Sequence, residues 1–297
     1  MKQLKSTLGD LRQVFERSIT LKHIAEPLSC FASGASAVDA RKFMEDQDFD
    51  VLGVTSRGLV AGYVQRSIRP QGKVANHLTP FAQGDVADEN WPLADVFNLL
   101  GPRPRIFLTA RDTVTKIVTR GDLQKAPVRM WLFGLVSLIE MHFLRLIRKY
   151  DESDQWWVPM VGKDGLKRAR EILADRQRRN QQLDLADCLE FPHKGTILLK
   201  TPPLAALAGL RGGKPGERFI RRLTELRNNL AHSNDIITGY WPGIIELVRD
   251  TEALLSSCER AAVQIKGLSN NRMNPTAGGG LSVDSRPRSP AAGYSEH

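Results

Sequence analysis

The chain has 297 residues, 41% hydrophobic and 25% charged, enough apolar material for a buried core and for about two domains. A formal net charge of +9 favours a polyanionic partner such as RNA, although a basic solvated face gives the same balance. Cys30, Cys188 and Cys258 are odd in number and form no CxxC pair, which argues against a disulfide scaffold or a cysteine metal centre and fits a reducing cytoplasm.

In chain order, residues 1–17 read as a helical lead, with charged side chains where a secretory signal would need an apolar core. A repeat follows. Slid 54 positions along itself, the chain sets Ala40 on Ala94, Phe43 on Phe97, Thr55 on Thr109, Arg57 on Arg111, Val64 on Val118 and Arg66 on Arg120. Each copy predicts a helix, over 37–45 and then 91–100, followed by two short β-rich runs. Those runs are 51–55 with 59–64, then 106–109 with 114–118, and turns at Arg57-Gly58 and Arg111-Asp112 separate them. The short run at 18–24 is expected to open copy one, and copy two to start near 77–81, giving copies of about 18–68 and 77–126.

Copy two ends in Ile117-Val118-Thr119-Arg120-Gly121-Asp122-Leu123, a hydroxyl three residues before a carboxylate. This pattern resembles a pair of CBS domains, the cystathionine-β-synthase-like modules. The resemblance implies an adenine nucleotide (AMP, ADP or ATP) as regulatory ligand, with Thr119 meeting a phosphate and Asp122 the ribose hydroxyls. The chemistry is sound in its own right, since a carboxylate accepts two hydrogen bonds from a vicinal diol. Copy one has Gln65 and Ile68 at the matching positions, so its site is expected to be degenerate. A plain helix N-cap is the other reading of Thr119 and Asp122.

From Pro127 to Tyr150 the chain stays apolar at helical spacing, with Trp131, Leu135, Leu138 and His142 on one face. Glu140, His142 and Arg145 interrupt it, so a buried helix is expected rather than a membrane span. This helix is expected to join sensor to effector and to move both together. Residues 127–267 then read as an all-helical domain. Its helices are expected at 165–181, 183–191, 215–231 and 243–265, with 193–204 as connection carrying a helical turn at 196–200 and a disordered tail over 268–297. The fold class is therefore α+β, an α/β pair followed by an all-α bundle.

At the end of the 215–231 helix stands Arg227-Asn228-Asn229-Leu230-Ala231-His232. Phe219, Leu223, Leu226 and Leu230 form an apolar stripe, with Arg227 beside it. The order R-N-x-x-x-H in a helical domain resembles the HEPN superfamily, over roughly residues 130–266. That resemblance implies a metal-independent endoribonuclease, active as a homodimer, that leaves a 2′,3′-cyclic phosphate. His232 would move the proton, Arg227 would hold the phosphate, Asn228 would orient His232, and Glu140 would join the set. The toxin half of a two-gene system is a third biological setting for the same chemistry. A non-catalytic nucleotide-sensing or RNA- or protein-binding role is the alternative. Structural readings stand beside these: Arg227 paired with Glu140 or Glu225, His232 at a helix C-terminus, Trp156-Trp157 packing in a loop, and Lys167, Arg168, Arg170, Arg176, Arg178 and Arg179 as a solvated face.

Overall fold

The computed structural model describes residues 7–150, 155–237 and 241–272, and of Glu16 and 262–272 the backbone alone. Helix α1 (Leu8–Arg17) starts at Thr7, whose hydroxyl accepts from the Asp10 N–H at 3.1 Å while Asp10 accepts from the Thr7 N–H at 2.8 Å. It is part of the helical bundle. Leu8 N–H donates to Glu259, Arg12 pairs with Glu252 at 2.7 Å, and Phe15 packs on Trp131.

The repeat is real in space. Copy one is β2 (Cys30–Ala32), α2 (Ala37–Asp46), β3 (Val51–Ser56) and β4 (Leu59–Gln65), preceded by the two-residue β1 (Glu26–Pro27). Copy two is β5 (Val86–Asp88), α3 (Val96–Leu100), β6 (Arg105–Ala110) and β7 (Thr113–Thr119). In each, the first strand runs parallel to the second and the third returns antiparallel. The bulge between Val54 and Thr55 recurs between Leu108 and Thr109, 54 residues later. Both hairpin turns place two residues at positive φ, Arg57 and Gly58, then Arg111 and Asp112, as a two-residue turn between twisted strands requires.

The copies exchange their leading segments, which the sequence does not disclose. The run at 18–24 hydrogen-bonds to copy two, not copy one: Leu21 N–H donates to Trp91 O, Lys22 N–H to Glu89 O, and Leu93 N–H to Ile19 O. β1 likewise pairs with β7. Reciprocally, Val74 N–H donates to Ala35 O, and Thr79 bridges to Tyr63 in copy one. The sheets therefore read β2-β3-β4 and β1-β7-β6-β5. Phe107, Val114, Leu28 and Val51 fill the space between them, with Tyr63 and Phe81 against Phe107. The helix expected over 91–100 is shorter: Pro92 precedes a single 3-10 turn, Leu93–Asp95, before α3 begins.

Helix α4 (Ala126–Tyr150) runs through the bundle and is long and apolar enough to cross a membrane by length and composition. Its apolar face is spent on protein. Trp131, Leu135, Val136, Ile139, Phe143 and Leu146 are buried against the neighbouring helices. Around it stand α5 (Lys163–Arg178), α6 (Phe191–Leu199), α7 (Pro202–Ala208), α8 (Gly213–Ala231) and α9 (Trp241–Arg272). Three expectations fail here. The stretch 193–204, read as connection with one helical turn at 196–200, holds most of α6 and the start of α7, because Pro192 and the Pro202-Pro203 pair fall in first turns, where a missing N–H costs nothing. Residues 183–191 give only the 3-10 turn Leu185–Cys188, and α9 continues to Arg272, so 268–272 belong to a helix rather than a tail. Residues 273–297, the rest of the expected tail, lie outside the described residues. Copy one keeps a separate small core, whereas the core of copy two is continuous with the bundle.

Candidate functional site

β7 ends at Thr119, where the chain tightens into the 3-10 turn Arg120–Gln124 before α4. Asp122 is 8% exposed, so its carboxylate needs partners, and three are present. One oxygen accepts from the Thr119 N–H at 2.7 Å and from its hydroxyl at 2.9 Å. The other meets the Lys125 ammonium at 2.8 Å. Lys125 also donates to Ile24 O and Glu26; burial opposes its charge, but Asp122 and Glu26 outweigh that and raise its pKa. The helix-cap reading and the ligand-site reading thus use the same atoms. In copy one, Ile68 is packed in the small core, so no carboxylate stands there.

The same turn reaches across to the bundle. Gln124 donates to Asp235 and accepts from the Ile236 N–H at 3.3 Å. Arg129, one turn into α4, donates to the carbonyls of Asn229 at 2.7 Å, Leu230 at 3.2 Å and Asn234 at 2.9 Å. A guanidinium over the last carbonyls of α8 satisfies acceptors that the helix leaves open and opposes the negative end of its dipole. The Arg120 guanidinium lies 4.6 Å from the centre of the Trp241 ring, at the start of α9.

At the end of α8, Arg227, Asn228 and His232 are all exposed. Arg227 donates to the Asn228 side-chain oxygen at 3.3 Å, pairing with neither Glu140 nor Glu225, and its side chain is turned out to solvent beside the buried stripe. His232 is the C-terminal cap, its N–H donating to Asn228 O at 3.0 Å. Of the expected stripe, Leu223, Leu226 and Leu230 are buried, and Ile220 takes the deep position expected of Phe219. Glu140 is not with them. Its carboxylate takes the Lys194 ammonium at 2.7 Å, and Glu140 lies eleven residues along α4 from Arg129, about 16 Å of helix. Two cavities of about 550 and 300 Å³ separate α8 from α9; neither is lined by Arg227 or His232.

Other expectations settle individually. Trp157 is buried and Trp156 donates to Ile147 O, so the tryptophan pair packs its loop. Arg168 and Arg178 of α5 and Arg179 at its C-terminal cap are largely exposed; Arg168 pairs with Glu190, and Arg178 and Arg179 with Asp175. His142 is 2% exposed, neither ring nitrogen has a hydrogen-bond partner among the described residues, and burial together with Arg145 lowers its pKa to about 4. The Glu259 carboxylate stands 4.0 Å away and does not reverse this. Gln124, Arg129 and Lys194 escaped the sequence reading. An Arg at the start of an apolar helix and a Lys in a proline-flanked stretch carry no local sign of their partners, which come from more than fifty residues away.

Neither a protein-family model nor a curated protein matches the chain. Solved structures are similar to its N-terminal part. An uncharacterised conserved protein from Pyrococcus horikoshii is 20% identical over 36% of this chain and 91% of its own, with a TM-score of 0.33. The CBS domains of a transcriptional regulator from Streptococcus pneumoniae are 13% identical over 36% of this chain and 97% of theirs, at 0.32. CBSX2 in complex with AMP is 19% identical over 37% of this chain and 97% of its own, at 0.33.

Proposed function

We propose that this chain is a nucleotide-responsive regulator in which copy two binds an adenine nucleotide at the end of β7 and the helical bundle is the part that responds. The observation behind this reading is the Asp122 carboxylate, nearly buried beside the Thr119 hydroxyl on the turn that opens α4. A carboxylate has about four lone-pair positions, and three are occupied here, so one ribose hydroxyl can add directly and the second by displacing Lys125. Titration calorimetry of the full chain with AMP, ADP and ATP tests it. Heat is expected with at least one of them, with affinity about tenfold or more weaker in Asp122→Asn, because a charge-assisted acceptor is lost. No heat with any of the three would remove the reading.

A second reading concerns the output. Arg227 and Asn228 touch, and both share the exposed end of α8 with His232, where a phosphodiester can reach them. In that reading the 2′-hydroxyl of RNA attacks the adjacent phosphorus, His232 takes its proton, and Arg227 holds the anionic oxygens. The 5′-oxygen leaves with a proton from a second acid, which a homodimer would supply, and a 2′,3′-cyclic phosphate remains. Glu140 has no part in it. Cleavage of structured RNA in chelator, lost in His232→Ala and Arg227→Ala while both variants stay folded, supports this reading. Absence of cleavage in every nucleotide condition leaves a non-catalytic output.

A further inference from the structure

We infer that the ten residues from Arg120 to Arg129 form a clamp through which occupancy of the Asp122 site controls the α8–α9 connection. The inference rests on the nucleotide reading for its trigger, but the clamp itself is a matter of geometry. Three side chains leave this segment for the bundle, and all three end on the same stretch of chain. Arg129 binds the carbonyls of Asn229, Leu230 and Asn234. Gln124 binds the side chain of Asp235 and the backbone N–H of Ile236. Arg120 covers Trp241, whose indole N–H in turn donates to Gly101 O in copy two.

Within this connection His232, Ser233, Asn234 and Asp235 are exposed and Ser233 sits at a positive φ, while Ile236 is buried in the bundle core and Ile237 packs against it. Local bonds run from His232 N–H to Asn228 O, from Asn234 N–H to Asn229 O and from Ile237 N–H to the Asp235 carboxylate. An exposed stretch of this kind opens at low cost, so the clamp adds to the order of residues 232–235.

The anchor of the clamp is the candidate ligand group. Asp122 fixes the turn by tying Thr119 to Lys125, and Gln124 lies inside that span. A ribose diol that takes the carboxylate competes with Lys125 and loosens the turn. Gln124 and Arg120 then shift first, and Arg129 follows through the first turn of α4. Beside the shared-helix coupling expected from the sequence, this gives a shorter route, along side chains rather than along the length of α4. Because His232 lies within the clamped stretch, the same device would govern any chemistry or partner binding there.

Backbone hydrogen–deuterium exchange on the full chain, with and without AMP, ADP or ATP, tests the clamp. In the unliganded protein, Arg129→Met is expected to raise exchange at residues 232–237 by about tenfold or more, the effect of losing a charge-assisted bond. Asp122→Ala is expected to do the same without contacting that segment, since it frees the turn. A nucleotide that binds should alter exchange at 232–237 in the wild type and leave it unaltered in Arg129→Met, with calorimetric affinity kept within about threefold. If Asp122→Ala loosens 119–125 yet leaves 232–237 unchanged, the clamp is overturned whatever binds. If a nucleotide binds with no response at 232–237, the coupling fails while nucleotide sensing stands. If no nucleotide binds but both variants release 232–237, sensing fails while the clamp stands.

Discussion

Glu140 divides a structural from a catalytic reading of the bundle, and a double-mutant cycle separates them. Lys194 is 4% exposed, and its ammonium lies 2.7 Å from the Glu140 carboxylate, which is itself partly exposed. Glu140→Gln keeps the size and one acceptor but leaves a buried cation without its counter-charge. The cost is about 3 kcal/mol, at the lower end for breaking a buried pair, because the glutamine oxygen and nearby solvent recover part of it. For a chain of this size that is roughly 6–12 °C in Tm. Replacing both members, as Glu140→Gln with Lys194→Met, removes the orphaned charge and fills the space with an apolar chain of similar length. Stability should return to within about 1 kcal/mol of the wild type. Urea and thermal unfolding of the four proteins measure the cycle. A Glu140→Gln variant within about 0.5 kcal/mol of the wild type would refute the reasoning. Should RNA cleavage be found, the double variant ought to retain it; regained stability with lost cleavage would return Glu140 to the catalytic set.

His142 is expected to make the bundle sensitive to acid. Its pKa is lowered from 6.5 to about 4 in the fold, so as pH falls through that window the unfolded chain takes the proton first and stability drops, by about 3 kcal/mol in all. His142→Leu should flatten that slope in urea midpoints, and an unchanged slope would place the acid sensitivity elsewhere. Gly62→Ala should destabilise the pair by about 1–3 kcal/mol, because a methyl there meets the Thr79 carbonyl oxygen and Leu78, which lie across the strand. Thermal unfolding that moves by less than about 1 °C would deny that close approach. In the hairpin turn, Asp112 at φ 63° predicts that Asp112→Gly is neutral or stabilising while Asp112→Val costs about 1–2 kcal/mol. Equal stability of the two variants would show that the left-handed turn is not required.

The signals that reached the structure intact were local or periodic. The 54-residue repeat, its two turns and the buried faces of α4 and α9 follow from side-chain spacing, because strand and helix periods are set by the backbone alone. Thr119 and Asp122 were legible for the same reason, three residues apart on one turn. Proximity along the chain also brought Arg227 to Asn228, yet it said nothing of Glu140, whose partner Lys194 comes from another helix.

By itself, then, the sequence determined two β-α-β-β copies, an apolar central helix and the pairs that sit within one turn of each other. Only the tertiary structure decided that the leading segments cross between copies, that the core of copy two continues into the bundle, and that Arg129 grips the end of α8 and Gln124 the segment after it. The physical reason is common to all three. Apolar surface must be covered and a buried carbonyl or N–H must find a partner, and which residue supplies either depends on what packing brings near, a choice that no short stretch of sequence contains.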